Sequence, residues 1–152
     1  IIINQMMYGS SWKEVIKSST LFTVPDWYLN GMISYVADPD NQEVFDRVKD
    51  AMLTNKYAKF NRLSGVEATY AGHSLWKFVA DVYGQNIIPN ILYMSRMSRN
   101  VETGFLYVLG IPFKDVLTQY KNYYKDIFRR DTQLRLAPLA EKVPIKTKKT
   151  RV

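Results

Sequence analysis

Val24-Pro25-Asp26-Trp27-Tyr28-Leu29-Asn30-Gly31-Met32-Ile33-Ser34-Tyr35 decides how this chain reads. Pro25 ends an apolar connection, Asp26 is a good N-cap, and residues 27–37 have the apolar turnover of a buried helix. Asp38-Pro39-Asp40 then breaks it. Gly31 stands in the middle of that helix, where glycine costs about 0.8 to 1 kcal/mol relative to alanine. The sequence therefore predicts that something approaches the Gly31 backbone closely.

The punctuation on either side is also helical. Ser11 and Glu14 form a capping box for a short helix ending near Thr20. Asp40 with Glu43 forms a second, and Val44, Phe45, Val48 and Met52 recur at helical spacing through Leu53. A third helix is expected from residue 66 or 67 to 83, with Tyr70, Leu75, Phe78, Val79 and Val82 as its apolar stripe and Gly84 as its stop. Ile87, Ile88, Ile91, Leu92 and Met94 mark another, with Pro89 in its first turn. Asn100 caps a helix over 101–109 closed by Gly110, and Pro112 starts a long one carrying Phe113, Val116, Leu117, Tyr120, Tyr124 and Phe128. No period-2 alternation competes with these patterns. The expected class is all-α, a compact bundle of about seven helices over residues 1–130, followed by an extended basic tail or linker over 131–152 in which Pro138 and Pro144 break the periodicity.

Composition narrows the chemistry. The chain has 152 residues, 47% of them apolar, enough for one domain burying roughly 68–70% of its unfolded surface. With no cysteine, disulfides, thiolate metal sites and cysteine nucleophiles are excluded, and one histidine, His73, is too few for most imidazole metal sites. The net charge of +7 is uneven: residues 131–152 contribute +4, and the rest is an ordinary balance of fifteen basic and twelve acidic side chains. The body is thus not a polyanion-binding surface, and the tail reads as solvated linker. No apolar run approaches the roughly 18 to 20 residues that cross a bilayer. Ile1 to Gln5 show neither an initiator methionine nor a signal peptide, so the chain reads as beginning inside an element whose earlier turns lie upstream.

No serine elbow or phosphate cradle occurs. His73 and Asp81 lie on one helix, too poorly oriented for a triad, and His73 reads as a helix histidine donating to a neighbouring carbonyl or carboxylate. Tyr120, Tyr123 and Tyr124 interleave with Lys121, Lys125, Arg129 and Arg130, but 120, 124 and 128 share one side of a helix, which favours core packing over a base-stacking platform. Met94 and Met97 beside Arg96 and Arg99 read as a helix with one apolar and one basic side.

A resemblance appears at residues 25–35, which look like the P-x-W-[FY]-x-E-G-x-A-x-Y element of gluzincin metallopeptidases of the peptidase MA-like superfamily. In that family an H-E-x-x-H helix supplies two zinc ligands, this glutamate supplies the third, and the glycine lets two helices pack. Tyr70-Ala71-Gly72-His73-Ser74-Leu75-Trp76-Lys77-Phe78, followed by Tyr83-Gly84, is similar to the helix behind that site, and the segments from Ile87 to Tyr120 resemble the closing helices. The likeness covers roughly residues 1–128 and implies the C-terminal lobe of a gluzincin-like domain.

The departures imply a degenerate site. Asn30 stands where the family has its third ligand, and a neutral amide is a poor zinc ligand. The chain holds no H-E-x-x-H, although residues 1–8 would be the last turns of such a helix if it lay upstream. Asn30 reads alternatively as a polar residue exposed on a helix, which leaves Gly31 unexplained. The resemblance points to Trp27, Tyr28, Asn30, Gly31, Tyr70 and His73 as a degenerate site or interaction surface, with no catalytic residue, no metal and no cofactor. It implies a non-catalytic module contacting other subunits or domains of its own polypeptide, as in exported Bacteroidota proteins with a TolB-like β-propeller following. The periplasm, outer membrane or cell surface would be its place, an outer-membrane-associated assembly its setting, and nucleic acid would not be a partner. Two other readings stay open: an active zinc peptidase whose H-E-x-x-H lies upstream, with Asp26 or Glu67 recruited as a ligand, and a basic nucleic-acid-binding helical domain.

Overall fold

The computed structural model describes residues 24–151, with side chains through residue 136. The helix expected over 11–20 and the run from Ile1 to Tyr8 lie outside the described residues. Among the described residues every regular element is helical: α1 (Asp26–Ala37), α2 (Gln42–Leu53), a 3-10 turn (Phe60–Arg62), α3 (Gly65–Tyr83), α4 (Ile87–Ser98), α5 (Val101–Leu109) and α6 (Phe113–Arg151). None of these helices is long and apolar enough to cross a membrane.

Two caps fall one residue from their expected places. Pro25, not Asp26, is the N-cap of α1; its extended backbone leads into the helix and its carbonyl accepts the Tyr28 N–H at 3.0 Å. Asp26 becomes the first helical residue, where its charge faces the positive end of the helix dipole. In α2 the cap is Asn41 rather than Asp40: the Asn41 side chain accepts the Val44 N–H at 3.2 Å. Glu43 does not close a box with Asp40; it takes the Tyr70 hydroxyl at 2.8 Å, joining α2 to α3. Asn100 caps α5 as expected, accepting the Thr103 N–H at 2.9 Å. Gly84 and Gly110 end α3 and α5 with φ of 94° and 78°, a region glycine enters without steric cost.

Helix α3 is the centre. Every residue from Ala71 to Trp76 is buried, so the helix is enclosed nearly all round rather than along one stripe. It packs against α1, α2 and α4, while α4 pairs with α5. The expected stripe is therefore shifted: Leu75, Phe78 and Val79 are buried, but Tyr70 is half-buried and Val82 exposed.

An aromatic cluster fills the space between these helices. Trp27 stacks on Phe113 with ring centroids 5.6 Å apart and an interplanar angle of 7°, and Phe60 meets Trp27 edge-on at 5.3 Å. Phe105 contacts Phe113 at 5.0 Å and Trp76 at 5.6 Å. Such pairs add about 0.5–1.5 kcal/mol each beyond the area they bury. Both indole N–H groups among the described residues find acceptors, Trp27 on Asn61 Oδ1 at 2.8 Å and Trp76 on the Tyr28 carbonyl at 3.0 Å.

The chain divides into two compact units between Tyr120 and Lys121. In the first, Phe113, Val116 and Tyr120 are the buried positions of α6. The second is the remainder of α6; its Tyr124 and Phe128 are buried as the helical spacing predicts, and Asp126–Arg129 and Asp131–Arg135 pairs line its polar side. The sequence ends this helix near Arg130 and extends the chain beyond it, whereas the backbone runs helical through Arg151. As far as Lys142 the composition favours this, since apart from Pro138 residues 133–142 are almost all strong helix formers.

Candidate functional site

Of the six residues singled out in the sequence, Trp27, Tyr28, Gly31 and His73 meet at the crossing of α1 and α3. At its centre two glycines face each other. A Cβ on Gly31 would lie 2.4 Å from the Cα and carbonyl carbon of Gly72, and one on Gly72 would lie 2.0 Å from the Trp27 carbonyl oxygen. No other residue fits at either position without parting the helices. The backbone approach expected at Gly31 is thus present, and Gly72 of the Tyr70–Phe78 segment makes it.

Trp27, Tyr28 and Gly31 are buried around this contact. Trp27 is fully enclosed, and Tyr28 packs on Trp76 with centroids 5.6 Å apart. Burial pushes the Tyr28 phenol up to about 12. It is therefore neutral at physiological pH. Tyr70 lies at the margin, half-buried and donating to Glu43, a bond that raises its own pKa. Asn30 is the one member that does not join the others: it is exposed on α1.

His73 is 1% exposed and holds three elements together. Its Nδ1 lies 2.8 Å from Ser34 Oγ on α1 and its Nε2 lies 3.2 Å from the Pro39 carbonyl oxygen in the α1–α2 connection. A carbonyl only accepts, so Nε2 carries the proton and Nδ1 accepts from the Ser34 hydroxyl. The ring also meets Tyr35 edge-on at 5.9 Å. Burial lowers the His73 pKa from the ordinary 6.5; the Pro39 bond and the charge of Asp38 oppose this, and Lys77 reinforces it. Lys77 itself is held above its usual value: burial pulls it down, but Asp40 and Asp81, at 3.0 and 3.3 Å, outweigh that. The donation to a carbonyl expected of this histidine is the one it makes. Ser74 beside it points inward, 2.8 Å from the Ala71 carbonyl and 2.7 Å from the Tyr120 hydroxyl.

These positions do not fit a zinc ion. The imidazole has both nitrogens committed, Asn30 offers an amide at the surface, and among the described residues no three His, Asp or Glu side chains are grouped to hold a metal. Asp26 and Glu67 are in the first turns of different helices and do not complete a set with His73. An open cleft of about 390 Å³ lies elsewhere in the first unit, where the N-termini of α1, α3 and α5 meet; Arg62 and Arg99 on its wall are balanced by Asp26 and Glu102. It presents two charges of each sign and no nucleophile paired with a base.

Three contributors escaped the sequence reading. Ser34 and Asn61 are ordinary polar residues until His73 and Trp27 are seen beside them. Gly104 repeats the Gly31 device: a Cβ there would lie 2.1 Å from Ser95 Oγ and 2.8 Å from the Ser95 nitrogen. Its position in the middle of Val101–Leu109 was the available signal. No family model, curated protein or solved structure matches the chain.

Proposed function

We propose that the chain is a non-catalytic, gluzincin-like helical module that acts through protein–protein contacts in an exported, envelope-associated protein. The observation that carries this reading is the commitment of its only imidazole to Ser34 and Pro39, combined with an amide, Asn30, at the position where the resembled family has its glutamate. Catalysis by the resembled family needs a metal-activated water, and the described donors do not assemble a cage for one.

A contact role is supported by apolar side chains on the outside of the α4–α5 pair. Tyr93 and Met97 stand one turn apart on α4, with the Arg96 guanidinium 5.6 Å from the Tyr93 ring, and Tyr107 on α5 is 65% exposed. Aromatic, methionine and arginine side chains are enriched at protein interfaces.

The test is bound metal and peptidase activity in the full-length protein, including any residues that precede Ile1. The proposal expects neither zinc in molar proportion nor hydrolysis of unfolded protein substrates. Stoichiometric zinc with hydrolysis would establish the peptidase reading. Affinity for DNA that falls steeply with salt and disappears on removal of residues 131–152 would establish the nucleic-acid reading.

A further inference from the structure

The cleft of about 390 Å³ that holds Arg62 and Arg99 together with Asp26 and Glu102 is continued by a second hollow of about 250 Å³. The second shares Asn61, Arg62 and Glu102 with the first and adds Lys59 and Lys114. The two form one groove on the first unit, lined by four cations and two carboxylates. Lys59, Arg62, Arg99 and Lys114 are exposed, and among the described residues none of them makes an ion pair, with Asp26 and Glu102 or with any other carboxylate.

The neutral polar groups of the groove lean the same way. Asn61 gives Oδ1 to the Trp27 indole and Asn100 gives Oδ1 to the Thr103 N–H, so each amide is fixed with its NH2 group left over as a donor. Arg99 ends α4 at a φ of 56°, in a left-handed region that α3 and α5 enter with Gly84 and Gly110 and that strains a residue carrying a Cβ. The chain accepts that strain and keeps a guanidinium on the groove wall.

A groove rich in donors calls for a ligand rich in acceptors. Asp26 and Glu102 stand among the cations, so an unbroken run of phosphates would meet like charge; the rings lining the groove, Phe60 and Phe113, are buried, so no aromatic face is offered to bases. An extended peptide meets neither obstacle. Its carboxylates can be spaced to reach the cations, its carbonyls can accept from the two amides, and its apolar side chains can cover half-buried Leu63 and Leu117.

We propose that this groove is the docking site for an extended acidic segment of a partner protein. The inference rests on the contact role proposed above and gives the partner its chemistry. Bound zinc with hydrolysis would remove that role, whereas a groove without selectivity would leave it to the α4–α5 face.

The test is fluorescence anisotropy of the whole chain with a fluorescein-labelled decapeptide of two Glu-Leu-Gly-Asp-Leu repeats, compared with its Gln/Asn counterpart and with a decathymidylate. The acidic peptide should bind more tightly than either. Arg62→Gln/Arg99→Gln should weaken it about tenfold or more, since two charge-assisted contacts are lost. Glu102→Gln should strengthen it several-fold by removing a like charge from the groove. Arg47→Gln/Lys56→Gln, at exposed positions outside the groove lining, should leave it within about twofold. All of these side chains are exposed, and circular dichroism checks that each variant stays folded. No binding of the acidic peptide at millimolar concentration, equal affinity for its Gln/Asn counterpart, tighter binding of the decathymidylate, or equal losses in the two double variants would overturn the proposal.

Discussion

Gly31 of α1 and Gly72 of α3 meet backbone to backbone, so closely that a Cβ on Gly31 would sit 2.4 Å from Gly72. In an exposed helix, Gly→Ala stabilises by about 0.8–1 kcal/mol through helix propensity. Here the obstacle is backbone, which cannot rotate away. Gly31→Ala should therefore destabilise despite its better propensity, and Gly31→Leu should do so by about 1–3 kcal/mol or more through overpacking. Urea denaturation checks both; an unchanged or raised midpoint in Gly31→Leu would show that the crossing tolerates a side chain.

The α4–α5 crossing at Gly104 should behave the same way, with a diagnostic twist. A Cβ there meets Ser95 Oγ at 2.1 Å, but also the Ser95 nitrogen and Cα at 2.8 and 2.9 Å. Ser95→Ala removes only the first of these. The double variant Gly104→Ala/Ser95→Ala should remain destabilised relative to Ser95→Ala, and a double-mutant cycle measures this; full recovery would mean that only the hydroxyl was in the way.

Asn61 is exposed, yet its Oδ1 accepts the indole proton of fully buried Trp27. Most surface substitutions stay within about 0.5 kcal/mol. Asn61→Ala should exceed this, at about 1–3 kcal/mol, because it strands a buried donor. Thermal unfolding with Trp fluorescence provides the measurement, and an effect below about 0.5 kcal/mol would contradict the assignment.

Stability should fall in mild acid, and the sign follows from His73. Its folded pKa lies below the unfolded value of 6.5, so the unfolded chain binds the proton more readily. This contribution is complete above pH 6.5 and declines as pH falls toward the folded pKa. Comparing unfolding free energies from pH 7.5 to 5.0, wild type should lose more stability than His73→Gln over that interval; parallel curves would contradict the burial argument.

Asn30→Glu restores the carboxylate of the resembled family on an exposed face of α1, without supplying free imidazoles. The variant should gain neither tight zinc binding nor peptidase activity, checked by zinc titration calorimetry and a casein hydrolysis assay. Activity arising from that single change would refute the degenerate-site account.

How far these features could be read in advance depends on how local their causes are. Gly31, Gly84, Asn100 and Gly110 were legible because a mid-helix glycine, a stop or a cap is decided within a few residues. The caps at Pro25 and Asn41 were displaced by one position because neighbouring residues offered equally plausible starts. The enclosure of α3 was not legible, since burial on every side comes from α1, α2 and α4 rather than from its own period. His73 was recognisable as a donor to a carbonyl, but Ser34, 39 residues away, and Pro39 as its partners are properties of the folded chain.

The most direct measurement is a long-range proton–nitrogen NMR spectrum of the His73 imidazole at pH 7.5, recorded before and after equimolar zinc. A structural His73 predicts one neutral tautomer, protonated at Nε2 and unchanged by the metal. A zinc-dependent shift at either ring nitrogen, or a proton resident on Nδ1, would contradict the claim that this histidine belongs to the scaffold.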